Sequence, residues 1–266
     1  MILASFLLQM VLAVLAFIAG RRLSTLSNAK AATLIALALA ATVAFPLMRV
    51  WPVPSLRLFG APLVSITEFT GMAIPAGLLF GMLVPRLPRV GDRRAVYALL
   101  GLSLVYFVKA GWWMVSPGVG DLGVMKWKDG VCLQSTDSTC VAVSMVTLLR
   151  SRGVEATETE MAALSFVEPG GGTTDSRAAW ALERKLASVG RRDLKVRYQR
   201  MTLDELIAAP KPCMVPLNWG FFMSHMVCVM DANSETITLG DPLSGRRTMT
   251  VPEFTGEWNG LVMWLD

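Results

Sequence analysis

Apolar and polar positions divide the 266-residue chain into two unlike parts. In the first, four nearly continuous apolar stretches, at about 1–20, 31–50, 64–84 and 95–115, each approach the ~20 residues that a helix needs to cross a bilayer. They predict a membrane domain of four transmembrane helices. The first stretch, "MILASFLLQMVLAVLAFIAGRR", could instead be a cleaved signal peptide. It lacks a basic n-region and carries its arginines after the apolar run, so a retained span is expected.

Past the Pro and Gly breakers of "SPGVGDLGV" the pattern shortens and changes period. Helical spacing covers Cys140 to Arg152, Glu158 to Ser165 and Asp175 to Val189. Strand patterns follow in "LKVRYQRM", "CMVPLNW", "SHMVCVM", "ETITLG", "RRTMTV" and "LVMWL", with a short helix "TLDELIAA" after the first. Helices followed by a run of strands with tight turns predict an α+β domain with an antiparallel sheet. The expected division is 1–118 for the membrane domain and 119–266 for a second domain, long enough for one core.

Charge sharpens this picture. Up to residue 118 there are ten Lys and Arg against two acids, and beyond it 15 against 18, so the overall +5 belongs to the membrane part. It signals membrane flanks and gives no reason to expect a nucleic acid partner. Arg21, Arg22, Lys30, Arg86, Arg89, Arg93 and Arg94 fall in the first and third loops, and Arg49, Arg57, Lys126 and Lys128 on the other side. The richer side is expected in the cytoplasm and the second domain outside it, with Trp51, Trp112 and Trp113 as interfacial anchors. Glu68 and Lys109 are expected at similar depth, where they would pair between the third and fourth helices or snorkel separately to the interface.

All four cysteines, Cys132, Cys140, Cys213 and Cys228, lie in the second part, and none forms a CxxC pair. Neither a thioredoxin-type redox motif nor a paired-knuckle zinc site is indicated, and spacing assigns no disulfide. There is no GxxxxGK[ST] loop. Neither a cofactor, a metal nor a nucleotide is expected. Cys213 and Cys228 sit in apolar strands and are expected as small buried hydrophobes.

Cys140 differs, because it opens a helix after "STDST". There the aligned peptide dipoles favour thiolate, and an active thiol also needs a neighbouring imidazole. The chain has one histidine, His225. Gln134, six residues before Cys140, is close enough for its carboxamide and the Cys140 N–H to bind an oxyanion together. Asp241, at the end of the strand after that of His225, is the expected orienting carboxylate. Asp231 competes, but ends the histidine's own strand about 20 Å away at ~3.3 Å per residue.

"LQSTDSTCVAVSMVTLLRSRGV", then "SHMVCVM", then "LGDPLSG" resembles the peptidase C39 family, papain-like cysteine peptidases known as bacteriocin-processing domains. The resemblance covers roughly 128–266. It implies a papain-like fold, Cys140 as nucleophile, His225 as base, Asp241 as orienting acid, Gln134 in the oxyanion hole, and a peptide or protein as substrate. The chain departs from the family in having Val141 where glycine usually follows the cysteine, and these residues carry no motif of the ATPase to which many members are fused. The expected function is a membrane-anchored cysteine peptidase working through a thioester acyl-enzyme, with the lipid bilayer as its other partner. A catalytically silent peptide-binding module and the regulatory domain of a small membrane transporter are the alternatives, and the Gly170-Gly171-Gly172 run is expected as a loop.

Overall fold

A computed structural model describes residues 2–266 apart from Phe69, Ser116, Pro117, Phe221 and Phe222, together with the side chains of all of these but Ile2, Arg49 and Val50. The first two residues of the expected linker, and the Arg49 side chain counted among the outer charges, therefore lie outside the described residues. The chain forms two compact units, Met1–Ser116 and Pro117–Asp266.

The first unit is helical: α1 (Ile2–Leu23), α2 (Asn28–Val50), α3 (Pro52–Thr67), α4 (Ala73–Arg86) and α5 (Val90–Gly111), the last running into a 3₁₀ turn at Trp112–Met114. Three helices among the described residues, α1, α2 and α5, are long and apolar enough to cross a bilayer. The third expected span is corrected: 64–84 is broken between Thr67 and Ala73 and does not form one helix. Pro75 explains the break, since a helix passing through it would lose the bond to residue 71 and clash with that carbonyl, whereas a proline fits in a first turn. The second half, α4, has 14 residues, about 21 Å at 1.5 Å per residue.

Two glycines set α4 against α1. A Cβ on Gly77 would stand 2.3 Å from the Ala13 carbonyl oxygen and one on Gly81 2.2 Å from that of Phe17, so only glycine lets the backbones approach this closely. The order of these contacts makes the two helices run in parallel. Arg86, at the end of α4, then donates to Asn28 Oδ1 (3.1 Å) and to the Leu26 carbonyl, which puts the α1–α2 and α4–α5 loops on one side of the unit. The break lies deeper: Thr70 Oγ1 is 2.7 Å from both Gln9 Oε1 and Ile66 O, and its single proton serves one of them. Irregular backbone at such depth is tolerated where its polar groups find protein partners. Glu68 is buried in this region and Lys109 is exposed and makes no ion pair among the described residues, so the expected Glu68–Lys109 contact is not formed.

The second unit is α+β. A hairpin of β1 (Lys126–Lys128) and β2 (Val131–Leu133) precedes α6 (Cys140–Ser151), α7 (Glu158–Leu164) and α8 (Asp175–Ser188). Then come β3 (Val196–Arg200), α9 (Leu203–Ala208), β4 (Cys213–Gly220), β5 (Met223–Ala232), β6 (Thr236–Asp241), β7 (Gly245–Thr250), α10 (Val251–Glu257) and β8 (Leu261–Leu265). The six strands β3 to β8 form an antiparallel sheet in the order β3-β8-β4-β5-β6-β7. On one side Ser144 of α6 donates to Met226 O (3.2 Å) and Cys228 Sγ donates to Ser144 O (3.4 Å). A second apolar cluster buries Val215, Val227 and Val229 against Leu206 of α9 and Phe254 of α10. Each such side chain contributes roughly 1.5–3 kcal/mol on leaving water. The α10 helix is not among the expected elements; its signal is the capping box of Thr250 and Glu253 with Pro252 in the first turn.

Candidate active site

Cys140 is the first residue of α6 and is half-buried. The preceding turn is tied by Thr139, whose hydroxyl donates to Thr136 O (3.1 Å) and accepts from Thr136 N–H (3.3 Å). Occupied in this way, Thr139 makes no side-chain cap on α6. The other four helices of this unit are each capped by a threonine, Thr157, Thr174, Thr202 and Thr250, which accepts from the third helical N–H. The uncapped start leaves the Cys140 N–H without a protein partner among the described residues, at the end of a helix that attracts negative charge.

Gln134 lies in the same turn, its backbone N–H donating to Pro242 O at 2.9 Å. One carboxamide N–H donates to Thr136 O (2.7 Å), while the buried Oε1 has no partner among the described residues. Exchanging the two ends would set oxygen against oxygen, so this bond fixes the orientation and leaves the second N–H uncommitted. The turn is anchored through Ser135, whose N–H (2.8 Å) and hydroxyl (2.6 Å) both donate to the buried carboxylate of Glu158 at the start of α7. The Gly170 N–H donates to Ser138 Oγ (2.7 Å), so the glycine run docks as a loop on the turn before Cys140.

The structure brings His225 and Asp241 together: Nε2 of the buried imidazole lies 2.8 Å from Asp241 Oδ1. Register explains it. Cys228 pairs with Gly240, which carries Asp241 next to Val227, and His225 is two residues along the same side of β5. Asp231 is at the other end of that strand, paired with Thr238. The imidazole also interacts electrostatically with Cys140, and with Nε2 held by Asp241, Nδ1 is the nitrogen left for the sulfur. Burial pulls the His225 pKa down, but the Asp241 carboxylate and Cys140 outweigh it and lift it to about 9. Burial pushes the Asp241 pKa up, and it still falls to about 2 because His225, the Leu243 N–H and Arg247 stabilise the anion. The four cysteines are free thiols. Desolvation raises Cys132 and Cys213 to about 12, and Cys228 rises too, which makes all three poor nucleophiles. Val141 is buried.

Two neighbours of the pair escaped the sequence reading. The Trp219 indole stacks on the His225 ring, with centroids 4.3 Å apart and planes at 21°. Arg247 Nε donates to Asp241 Oδ2 at 2.9 Å. Trp219 is the residue skipped where the β4–β5 register shifts between Asn218 and Gly220, and such a bulge re-aims a side chain. A tryptophan six residues before the only histidine was the available signal for the first. Arg247 needed the β6–β7 register, which pairs it with Leu239.

Comparisons with known proteins concern the second unit. The model of the peptidase C39 family matches residues 128–266, more than half of the chain, and the chain belongs to that family. An uncharacterised protein of Methanothermobacter thermautotrophicus is 26% identical over 136 residues, 51% of this chain and 87% of its own length. Among solved structures, the peptidase domain of Streptococcus ComA, a bifunctional ABC transporter involved in quorum sensing, is 21% identical, with 50% of this chain and 94% of that one covered and a TM-score of 0.43. A double glycine motif protease from an AMS/PCAT transporter, solved with its leader peptide, is 16% identical, with 56% and 96% covered and a TM-score of 0.44.

Proposed function

We propose that this member of the peptidase C39 family is a membrane-anchored cysteine peptidase, with residues 1–118 as its anchor and 119–266 as its catalytic domain. The observation that carries the reading is a buried imidazole bonded to Asp241 that interacts with Cys140, the first residue of a helix without a side-chain cap. His225 takes the thiol proton of Cys140, Sγ attacks the carbonyl carbon of a peptide bond, and the oxygen takes up the electron pair. The Cys140 N–H and the free N–H of Gln134 meet that charge. As the C–N bond breaks, His225 gives its proton to the departing amine and a thioester remains. Water activated by His225 then releases the acid, while Asp241 holds the ring in place throughout.

Trapping with a peptidyl electrophile that alkylates thiolates, followed by mass spectrometry, tests this reading. Label on Cys140 is expected, and label on Cys132 in its place overturns the assignment.

The catalytic domain lies outside the cytoplasm in this proposal. Arg21, Arg22, Lys30, Arg86, Arg89, Arg93 and Arg94 flank the two loops that Arg86 joins, and such a basic side stays in the cytoplasm. With α3 and α4 together making one return, α5 leads back to the opposite surface. Fusions truncated near residue 118 are expected to give alkaline phosphatase activity and a dark green fluorescent reporter. The reverse pattern puts Cys140 in the cytoplasm.

A further inference from the structure

Among the described residues, three of the five exposed large apolar side chains of the second unit belong to segments that also carry His225 or Asp241. The five are Val124, Val189, Trp219 (49% exposed), Met223 (64%) and Leu243 (48%). The last three lie within six residues of His225 or Asp241 in the chain. Single exposed apolar residues are ordinary, but a group beside a catalytic pair is a contact surface. Trp219 has one face on the imidazole and is otherwise half open. Met223 sits two residues before His225 in β5, so strand alternation puts its side chain on the side that carries the imidazole.

We infer that Trp219 and Met223 form the subsite for the residue that supplies the leaving amine, and that this residue is large and apolar. The inference rests on the cysteine-peptidase reading and follows from the path of the proton. The carbonyl oxygen must point toward the Cys140 N–H and Gln134. The amine nitrogen must point toward His225, which protonates it when the C–N bond breaks. The side chain next to that nitrogen therefore lies against whatever covers His225, and Trp219 covers it. Glycine at this place would leave the indole and the thioether in water, whereas a leucine or phenylalanine side chain removes apolar surface on both partners.

Aminolysis reads this subsite directly, because an amine attacking the thioester retraces the departure of the leaving group. The full-length protein in detergent is acylated with a blocked diglycyl thioester, whose acyl side has no side chain to discriminate. Glycinamide and phenylalaninamide then compete for the same intermediate, and the two products are quantified by mass spectrometry. Phenylalaninamide is expected to win by about tenfold, the gain from burying an aromatic ring on a half-open surface. Trp219→Ala and Met223→Ala should each lower the ratio severalfold. Because both amines draw on one acyl-enzyme, the ratio does not depend on how fast a variant is acylated. An even ratio in the wild type, or a preference that survives both substitutions, overturns the subsite and leaves the peptidase standing. Failure of Cys140 to acylate overturns the peptidase reading, and the subsite falls with it.

Discussion

Two segments of this chain are polar, irregular and lead into a helix, and they treat their hydrogen-bonding groups in opposite ways. Between α3 and α4, Thr70 turns to Gln9 of α1 and to Ile66 O, so a break inside an apolar bundle closes on itself. Between β2 and α6, Thr139 is spent on its own turn, α6 starts uncapped, and the Cys140 N–H and one N–H of Gln134 find no protein acceptor among the described residues. An uncapped helix start forgoes about 1 kcal/mol. The same unit caps four other helices with threonine, so the omission at α6 is specific to that position. Closed polar groups hold structure, and in the proposed reaction the open ones at the helix start would meet charge that appears in the transition state.

The largest effect should come from the open segment. Cys140→Ala and His225→Ala are each expected to abolish acyl-enzyme formation, a loss on the order of a thousandfold or more. Cys132→Ala, Cys213→Ala and Cys228→Ala should leave it detectable by intact-mass measurement, because those buried thiols do not ionise at neutral pH. Gln134→Ala should slow acylation by on the order of a hundredfold, about 3 kcal/mol in the barrier, with little change in substrate binding. Pre-steady-state kinetics separate the two, and a variant that loses binding but keeps its rate would make Gln134 a substrate contact.

Asp241→Asn should cost less, about tenfold, because an orienting group is partly dispensable, and its signature is a change in pH dependence. His225 is held up to about 9, so the acid that protonates the leaving amine is lost as pH rises through that value. Without the carboxylate the alkaline limb of the acylation rate moves down toward the ordinary imidazole value near ~6.5. Folding stability follows the same signs. The His225 contribution is complete below ~6.5 and disappears through about 9, and the Asp241 contribution is complete above ~3.9 and disappears through about 2. Thermal unfolding of wild type against Asp241→Asn should therefore differ most between about pH 4 and 6.5. An alkaline limb that stays in place moves the role away from Asp241.

How much of this was legible in the sequence depended on distance along the chain. The start of α6 at Cys140 was visible in local periodicity, and the encounter of His225 with Asp241 followed from neighbouring antiparallel strands. Trp219 over His225 depended on a bulge, with its six-residue spacing from the histidine as the one local trace, and Arg247 depended on a further register that leaves none. The third span failed in the same way. Residues 64–84 are apolar enough to cross, but Gly71 and Pro75 interrupt them, and the partner that makes the interruption tolerable, Gln9, lies 61 residues before Thr70. A count of apolar residues sees the length of a stretch and misses the side chain that rescues a break in it.

The smallest effect should come from the closed segment, and it tests whether that segment is only structural. Gln9→Leu removes the acceptor near Thr70 Oγ1 but leaves Ile66 O at 2.7 Å, so the hydroxyl keeps a partner and no bare donor is stranded. Thr70→Val removes the hydroxyl itself. Interhelical hydrogen bonds in membranes couple by only about 0.6 kcal/mol on average, with ~1.7 as a high value, because the membrane-embedded unfolded chain also finds partners. A double-mutant cycle on unfolding in mixed micelles should therefore give a Gln9–Thr70 coupling of about 0.5–1.5 kcal/mol, with unchanged acylation of Cys140 in all three variants. A coupling of zero would mean that other contacts of this region, such as the close packing of Gly77 and Gly81 on α1, hold the break without help from this pair. Loss of Cys140 acylation with stability intact would mean that the break between α3 and α4 takes part in the reaction, and the contrast between the two segments would no longer hold.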